Sequence, residues 1–295
     1  MPSPSADRSP SRHPAPSGLA RPELLVSTEW LAEQIGRPEV RVVDVRWRPD
    51  GSARSAHASG HIPGAVHLDW RTDLIDPSDT GDALLLAGPE QVATVLGNAG
   101  VSDGTTVVIY DDTVGLFAAR TWWSLRVYGF DSARLLDGGL PAWVDEGRPL
   151  SGAVSLPTAG RFTPRAQPRQ RLTTSDVRGL LGSPDVSLID ARAPAEYHGF
   201  EGNTKRLGHI PGATNVPVGS MTRPGSQHFR PGNELRELLH RGNVSRGRRM
   251  ICYDGSGVAA AKLAFVLTIL GHDDVAVYDG GWAEWGNRMD LPVDR

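Results

Sequence analysis

Residues 59–70 read SGHIPGAVHLDW, and residues 207–218 read LGHIPGATNVPV. An I-P-G step is turn chemistry, because Pro presets one backbone angle and Gly supplies another that other residues avoid. The flanks repeat as well. VVDVR at 42–46 corresponds to LIDAR at 188–192, and VVIYDD at 107–112 to MICYDG at 250–255. ARLLDGGLPAW at 133–143 corresponds to VAVYDGGWAEW at 275–285. Asp44 therefore pairs with Asp190, His61 with His209, Asp111 with Asp254 and Asp137 with Asp279, at separations between 142 and 148 residues. Solenoid repeats are far shorter, roughly 20–50 residues. The repeat is a duplicated domain.

Within each copy, short β-rich apolar runs at 40–45, 107–110, 186–189 and 275–278 read as buried strands. Between them lie amphipathic stretches with helix caps. Ser27 or Thr28 precedes EWLAEQIG, which Gly36 ends; Thr174 or Ser175 precedes DVRGLLG, which Gly182 ends. Alternating strands and helices predict an α/β fold of two tandem domains, each a mainly parallel sheet with right-handed crossovers. The domains are expected at 23–149 and 170–295, joined by a Pro- and Gly-bearing linker at 150–169. Residues 1–22 are dominated by Pro and Ser, and read as a disordered tail without the apolar stretch of a secretory leader. A cytoplasmic location is the expectation.

Of the 295 residues 39% are hydrophobic and 22% charged, which suits a packed core, and the net charge of −3 argues against nucleic-acid binding by phosphate neutralisation. No apolar run reaches the roughly 18–20 residues of a membrane span. The longest, at 258–270, is interrupted by Lys262 and Thr268. With Cys252 as the only cysteine, an intramolecular disulfide and a cysteine-rich zinc site are excluded. Neither a P-loop nor G-x-G-x-x-G is present, and no metal or cofactor is expected.

In open α/β sheets, ligands sit beyond the carboxyl ends of the strands. Residues 250–270, MICYDGSGVAAAKLAFVLTIL, fit that place: a strand, a Gly-rich turn at 254–257, then a helix. Successive backbone N–H groups in such a turn cradle an anion, and the helix N-terminus adds partial positive charge. A thiolate held there has a depressed pKa and is nucleophilic.

The paired GHIPGA motifs, DVRW at 44–47, ARTWWSLRVYG at 119–129 and YDGGWAEWGN at 278–287 carry a resemblance. The chain after residue 22 resembles the tandem rhodanese family, the thiosulfate and 3-mercaptopyruvate sulfurtransferases. The resemblance implies two five-stranded parallel domains, a non-catalytic first domain and a persulfide-forming Cys in the second. The implied reaction moves sulfane sulfur from a donor to a thiophilic acceptor. The family loop C-G-S-G-V-[TS]-A corresponds to residues 254–260, so Gly255, Ser256, Gly257 and Val258 keep the cradle while Asp254 stands at the nucleophile position. Glu196 stands where vertebrate-type enzymes place a donor-binding Arg, and Arg192, Lys205 and Arg206 remain as positive charge near an anion. The resemblance also implies that Ser256 and His61 act together with an acid, Asp50 or Asp69.

Asp254 reads either as a helix cap or as an acid–base or covalent carboxylate. Cys252 lies two residues earlier on the same face of the strand, about 6.5–7 Å deeper. It reads either as a buried packing residue or as a thiol that a wider turn brings into the cleft. Persulfide catalysis is therefore expected to be lost or impaired. What remains is binding of an anionic small molecule or a sulfur-carrier partner; the alternatives are acid–base chemistry by Asp254, Ser256 and His61, or sulfur transfer through Cys252. His209 is expected to lock its turn, and Trp122, Trp123, Trp143, Trp282 and Trp285 to fill cores and the domain interface.

Overall fold

A computed structural model describes residues 16–244 and 247–295. The first half runs β1 (Leu25–Val26), α1 (Thr28–Gln34), β2 (Val40–Asp44), α2 (Ala53–Ser59), β3 (Val66–His67), α3 (Trp70–Asp73), α4 (Pro89–Asn98), β4 (Thr106–Tyr110), α5 (Leu116–Val127), β5 (Ala133–Leu136) and α6 (Gly139–Asp145). The second half runs β6 (Arg171–Leu172), α7 (Thr174–Leu180), β7 (Val186–Asp190), α8 (Pro194–Tyr197), β8 (Thr214–Asn215), α9 (Gly232–Arg241), β9 (Arg249–Tyr253), α10 (Val258–Ile269), β10 (Val275–Tyr278) and α11 (Gly281–Trp285).

The two sheets have one topology, β1-β5-β4-β2-β3 and β6-β10-β9-β7-β8, with parallel pairings throughout. β4 and β9 are the central strands. Their apolar residues are buried on both faces, as a helix-covered parallel sheet requires. The Ser27 hydroxyl accepts the Trp30 N–H at 3.1 Å and starts α1. For α7 the cap falls one residue before the expected pair. Thr173 caps it in a reciprocal box with Asp176, while the buried Thr174 turns its hydroxyl to Tyr278 Oη at 2.7 Å.

The domains meet along α5 and α10, whose side chains share one apolar core. Trp122 meets Phe265 edge to face at 4.9 Å. Helix α10 is buried from Ala260 to Ile269, which accounts for the long apolar run: a helix apolar on every face belongs inside a core. No helix among the described residues is long and apolar enough to cross a membrane.

Residues 1–15 of the expected tail lie outside the described residues. The rest of it is held against the second domain. Gly232 N–H donates to Ser17 O at 2.8 Å, and the Ala20 and Arg21 N–H groups to Ile269 O at 2.9 and 3.0 Å. The expected linker is tied back onto the first domain, through Ser151 to His61, Gly160 to Gly97 and Gln167 to Val127.

Candidate functional site

Strand β9 delivers Asp254 to the turn that opens α10. Gly257 takes φ +79°, a left-handed conformation that glycine adopts without strain, and this turns the next N–H groups back toward Asp254. The carboxylate accepts the Gly257 N–H at 2.6 Å and the Ala259 N–H at 3.0 Å. It is 6% exposed. Burial pushes its pKa up, opposed by those N–H groups and by the Arg120 charge. The turn is fastened from behind: Trp282 N–H donates to Asp254 O at 2.6 Å and Ala283 N–H to Gly255 O at 2.9 Å. A Cβ at Gly281, where φ is +54°, would lie 2.5 Å from Asp254 O, so the fastening needs glycine there.

Asp111 repeats the arrangement. Its carboxylate accepts N–H groups from Thr113, Gly115, Phe117 and Ala118, each at 2.9 Å. In both domains the carboxylate fills the nest that a helix N-terminus offers to an anion. Asp254 is thus a cap for α10, as the internal repeat suggests.

Cys252 is paired within the sheet, opposite Ile189 on one side and Val277 on the other, and is fully buried. Burial, with the Asp254 charge adding to it, pushes its pKa far up. A widened turn would have to break this central strand to bring the thiol out.

Several expected site residues are committed elsewhere. Arg192 donates to Asp190 Oδ2 at 2.6 Å and to Gly208 O at 2.8 Å, and lies 4.6 Å over the Trp282 ring. Arg46 repeats this with Asp44 and Gly60, so the D-x-R motif is a buried brace at the end of each sheet. Glu196 caps α8 by accepting the Ala193 N–H at 3.3 Å. Arg206 donates to Trp285 O at 3.0 Å, to Leu291 O at 2.5 Å and to Arg288 O, lacing down the C-terminal segment. Most of these donors are spent on carbonyls and carboxylates, and Arg206 Nε is buried without a hydrogen-bond partner. Ser256, with Gly255 and Val258, remains half-buried in the turn.

His61 Nδ1 donates to His57 O at 2.8 Å, and its ring stacks on His57 at 3.9 Å. His209 makes the matching bond to Tyr197 O at 2.9 Å and stacks on Tyr197. Each GHIPGA histidine braces its own turn: the ring is held by its Nδ1 bond and its stacking partner, and the backbone by a bridge to Ser151 or Asp294. Asp50 accepts the Ser52 N–H, and Asp69 accepts the Arg71 N–H as the cap of α3.

What faces the cradle from the first domain is Arg120 of α5. This fully buried side chain donates Nη1 to Gly257 O at 3.3 Å and Nη2 to Leu84 O at 2.6 Å, and pairs with Asp279 at 2.8 Å. Asp279 also accepts the Leu86 N–H at 2.8 Å and meets Arg171 at 2.9 Å. Conversely, Lys262 of α10 faces Asp111, fully buried, with burial lowering its pKa to about 8. The signal for Lys262 was a lone cation inside an apolar helix; α5 carries two, Arg120 and Arg126.

Comparison with protein families matches residues 27–146 and 173–288 to the rhodanese-like domain. A sulfur carrier protein, TtuD, of Thermus thermophilus is 33% identical over 94% of this chain and 98% of its own. The 3-mercaptopyruvate sulfurtransferase of Escherichia coli is 34% identical over 91% and 97%, and a putative thiosulfate sulfurtransferase, SseB, of Mycobacterium tuberculosis 37% over 94% and 98%. The crystal structure of Escherichia coli SseA, a 3-mercaptopyruvate sulfotransferase, superposes with a TM-score of 0.80 over 88% of this chain and 98% of that one, at 33% identity. Two matched domains, one shared sheet topology and relatives aligned end to end place this chain in the tandem rhodanese-like sulfurtransferase family.

Proposed function

We propose that this family member has lost the persulfide step and serves sulfur transfer by binding a sulfur-carrying partner. The observation that carries the reading is Asp254 at the nucleophile position, its carboxylate on the Gly257 and Ala259 N–H groups. A carboxylate oxygen does not hold and hand on sulfane sulfur. It also occupies, with negative charge, donors that a persulfide or a free anion would use, which favours a protein partner over a small anion. The only thiol is strand-paired and buried, which speaks against sulfur transfer through Cys252. His61 braces its own turn, which speaks against acid–base chemistry shared with Asp254 and Ser256. The relative named a sulfur carrier protein supports the partner class.

Thiosulfate:cyanide and 3-mercaptopyruvate:thiol activities of the native chain, Cys252→Ala and Asp254→Cys test the reading. The native chain and Cys252→Ala are expected to be silent, and Asp254→Cys to gain turnover. Native turnover abolished by Cys252→Ala would overturn it.

A further inference from the structure

His57 and its counterpart Tyr197 each accept the Nδ1 hydrogen bond of their GHIPGA histidine, and at this position the two copies of the repeat differ. Tyr197 stacks on His209 at 3.8 Å and donates its hydroxyl to Ala213 O at 2.7 Å. His57 stacks on His61 at 3.9 Å with planes 8° apart, and turns its Nδ1 to the Asp44 carboxylate, 2.8 Å away. Asp44 is fully buried. Burial raises its pKa, but the hydrogen bonds from His57 and Arg46 outweigh that, so the carboxylate is ionised and only accepts. In the neutral His57 ring the proton therefore sits on Nδ1, and Nε2 presents a lone pair. A carboxylate on one nitrogen orients an imidazole to accept at the other.

His57 Nε2 is open. The side chain is 13% exposed, and Nε2 is neither enclosed nor bonded by another group among the described residues. His61 Nε2 and His67 Nδ1, by contrast, are buried and out of reach of a ligand. With Nδ1 on Asp44 and one ring face under His61, the Nε2 edge is left to the cavity that His57 lines. That cavity holds about 530 Å³, within the range of small-molecule sites, roughly 300–1,000 Å³. Its wall is apolar at Val66, Val95, Val154 and Leu156, and the last two are 81% and 88% exposed. Its charged groups are weak anchors. Arg54 is exposed, where an ion pair contributes little, and the Asp73 carboxylate already accepts the Asp69 N–H at 2.9 Å.

We propose that this cavity binds a neutral molecule with a hydroxyl on an apolar body, the hydroxyl donating to His57 Nε2. One accessible acceptor on an apolar wall suits a ligand with one donor, and the body covers Val154 and Leu156. A charged head would leave water for a wall that does not compensate it. The site lies in the first domain and does not rest on the reading of Asp254.

Calorimetric titration of the full chain with 4-methylphenol, with 4-methylanisole, which lacks the hydroxyl hydrogen, and with 4-methylbenzoate tests this. 4-Methylphenol is expected to bind one to one, and about two- to ten-fold more tightly than 4-methylanisole, the worth of one neutral hydrogen bond. His57→Tyr is expected to remove that difference. This variant copies the arrangement that the second domain already folds with, the Tyr197 ring on His209. A second measurement reads the nitrogen itself: diethyl pyrocarbonate acylates an accessible imidazole nitrogen, and peptide mass mapping locates the adduct. His57 is expected to be labelled before His61 and His67, and 4-methylphenol to slow that labelling. Absent 4-methylphenol binding, equal binding of 4-methylanisole, tighter binding of 4-methylbenzoate, an unchanged preference in His57→Tyr, or a His57 that resists the reagent would each overturn the proposal.

Discussion

Arg120 and Asp279 belong to different domains and form an ion pair 2.8 Å long, with side chains 1% and 2% exposed. The interface around them is two-fold in its logic. Asp279 accepts the Leu86 N–H of the first domain, and its counterpart Asp137 accepts the Phe229 N–H of the second. The two cradles lie beside this interface, and each receives a cation from the other domain's helix.

Removing one partner of a buried pair leaves the other charge short of compensation, which costs about 3–5 kcal/mol. Arg171 still pairs with Asp279, so Arg120→Met is expected at the lower end, about 3 kcal/mol. Urea denaturation followed by tryptophan fluorescence measures it; a loss below about 1 kcal/mol would show that the pair does not hold the domains together.

Cys252 is expected to react slowly with a thiol reagent in the native state and completely in denaturant, because burial keeps it as the neutral thiol. Asp254→Cys places a thiol on N–H groups at a helix start, where thiolate is favoured, and is expected to add one fast-reacting thiol. Alkylation time courses of the two proteins separate the sites. Fast labelling of the native chain is the contrary result.

Lys262 is buried without a hydrogen-bond partner among the described residues, and its pKa falls from 10.5 to about 8 mainly through burial, with Asp111 opposing. Between those values the unfolded chain holds a proton that the folded chain releases, so this residue's contribution to stability rises with pH through that window. Because Asp111 is also held by four backbone N–H groups, Lys262→Met mainly removes the cost of a buried proton and is expected to stabilise the protein at neutral pH by roughly 1–4 kcal/mol. The gain is expected to shrink as pH climbs past 8. Urea midpoints of both proteins across the window give the difference; a destabilised variant would contradict it.

His228 of the second domain bonds Asp137 of the first at 3.0 Å, and this hydrogen bond raises its pKa above 6.5. A raised histidine contributes stability that is fully present below its ordinary value and is lost as pH rises through the folded one. The native chain is therefore expected to lose stability relative to His228→Gln as pH increases through that interval. Paired melting temperatures at a series of pH values check it, and parallel curves would remove His228 from the interface's pH response.

The duplication, the strand runs and the identity of the cradle were all legible, because each rests on local pattern. A strand run such as 107–110 is apolar whatever surrounds it, and Asp254 follows from register against Asp111. The α7 cap slipped by one residue because Thr173, Thr174 and Ser175 all suit a cap, and only the contact of Thr174 with Tyr278 selects among them. Arg192 and Arg206 look like anion ligands in one dimension. In three dimensions most of their donors go to Asp190, Gly208 and the C-terminal carbonyls.

By itself the chain of residues determined two copies of one α/β domain and a carboxylate at the opening of each central helix, since periodicity and turn chemistry act over a few residues. Which side chains meet across the domains was decided only by tertiary packing. Arg120 and Lys262 are far in sequence from the cradles they face. The physical reason is that the charges and hydrogen-bonding groups packed around a buried side chain come from other elements of the fold, which no local run of residues specifies.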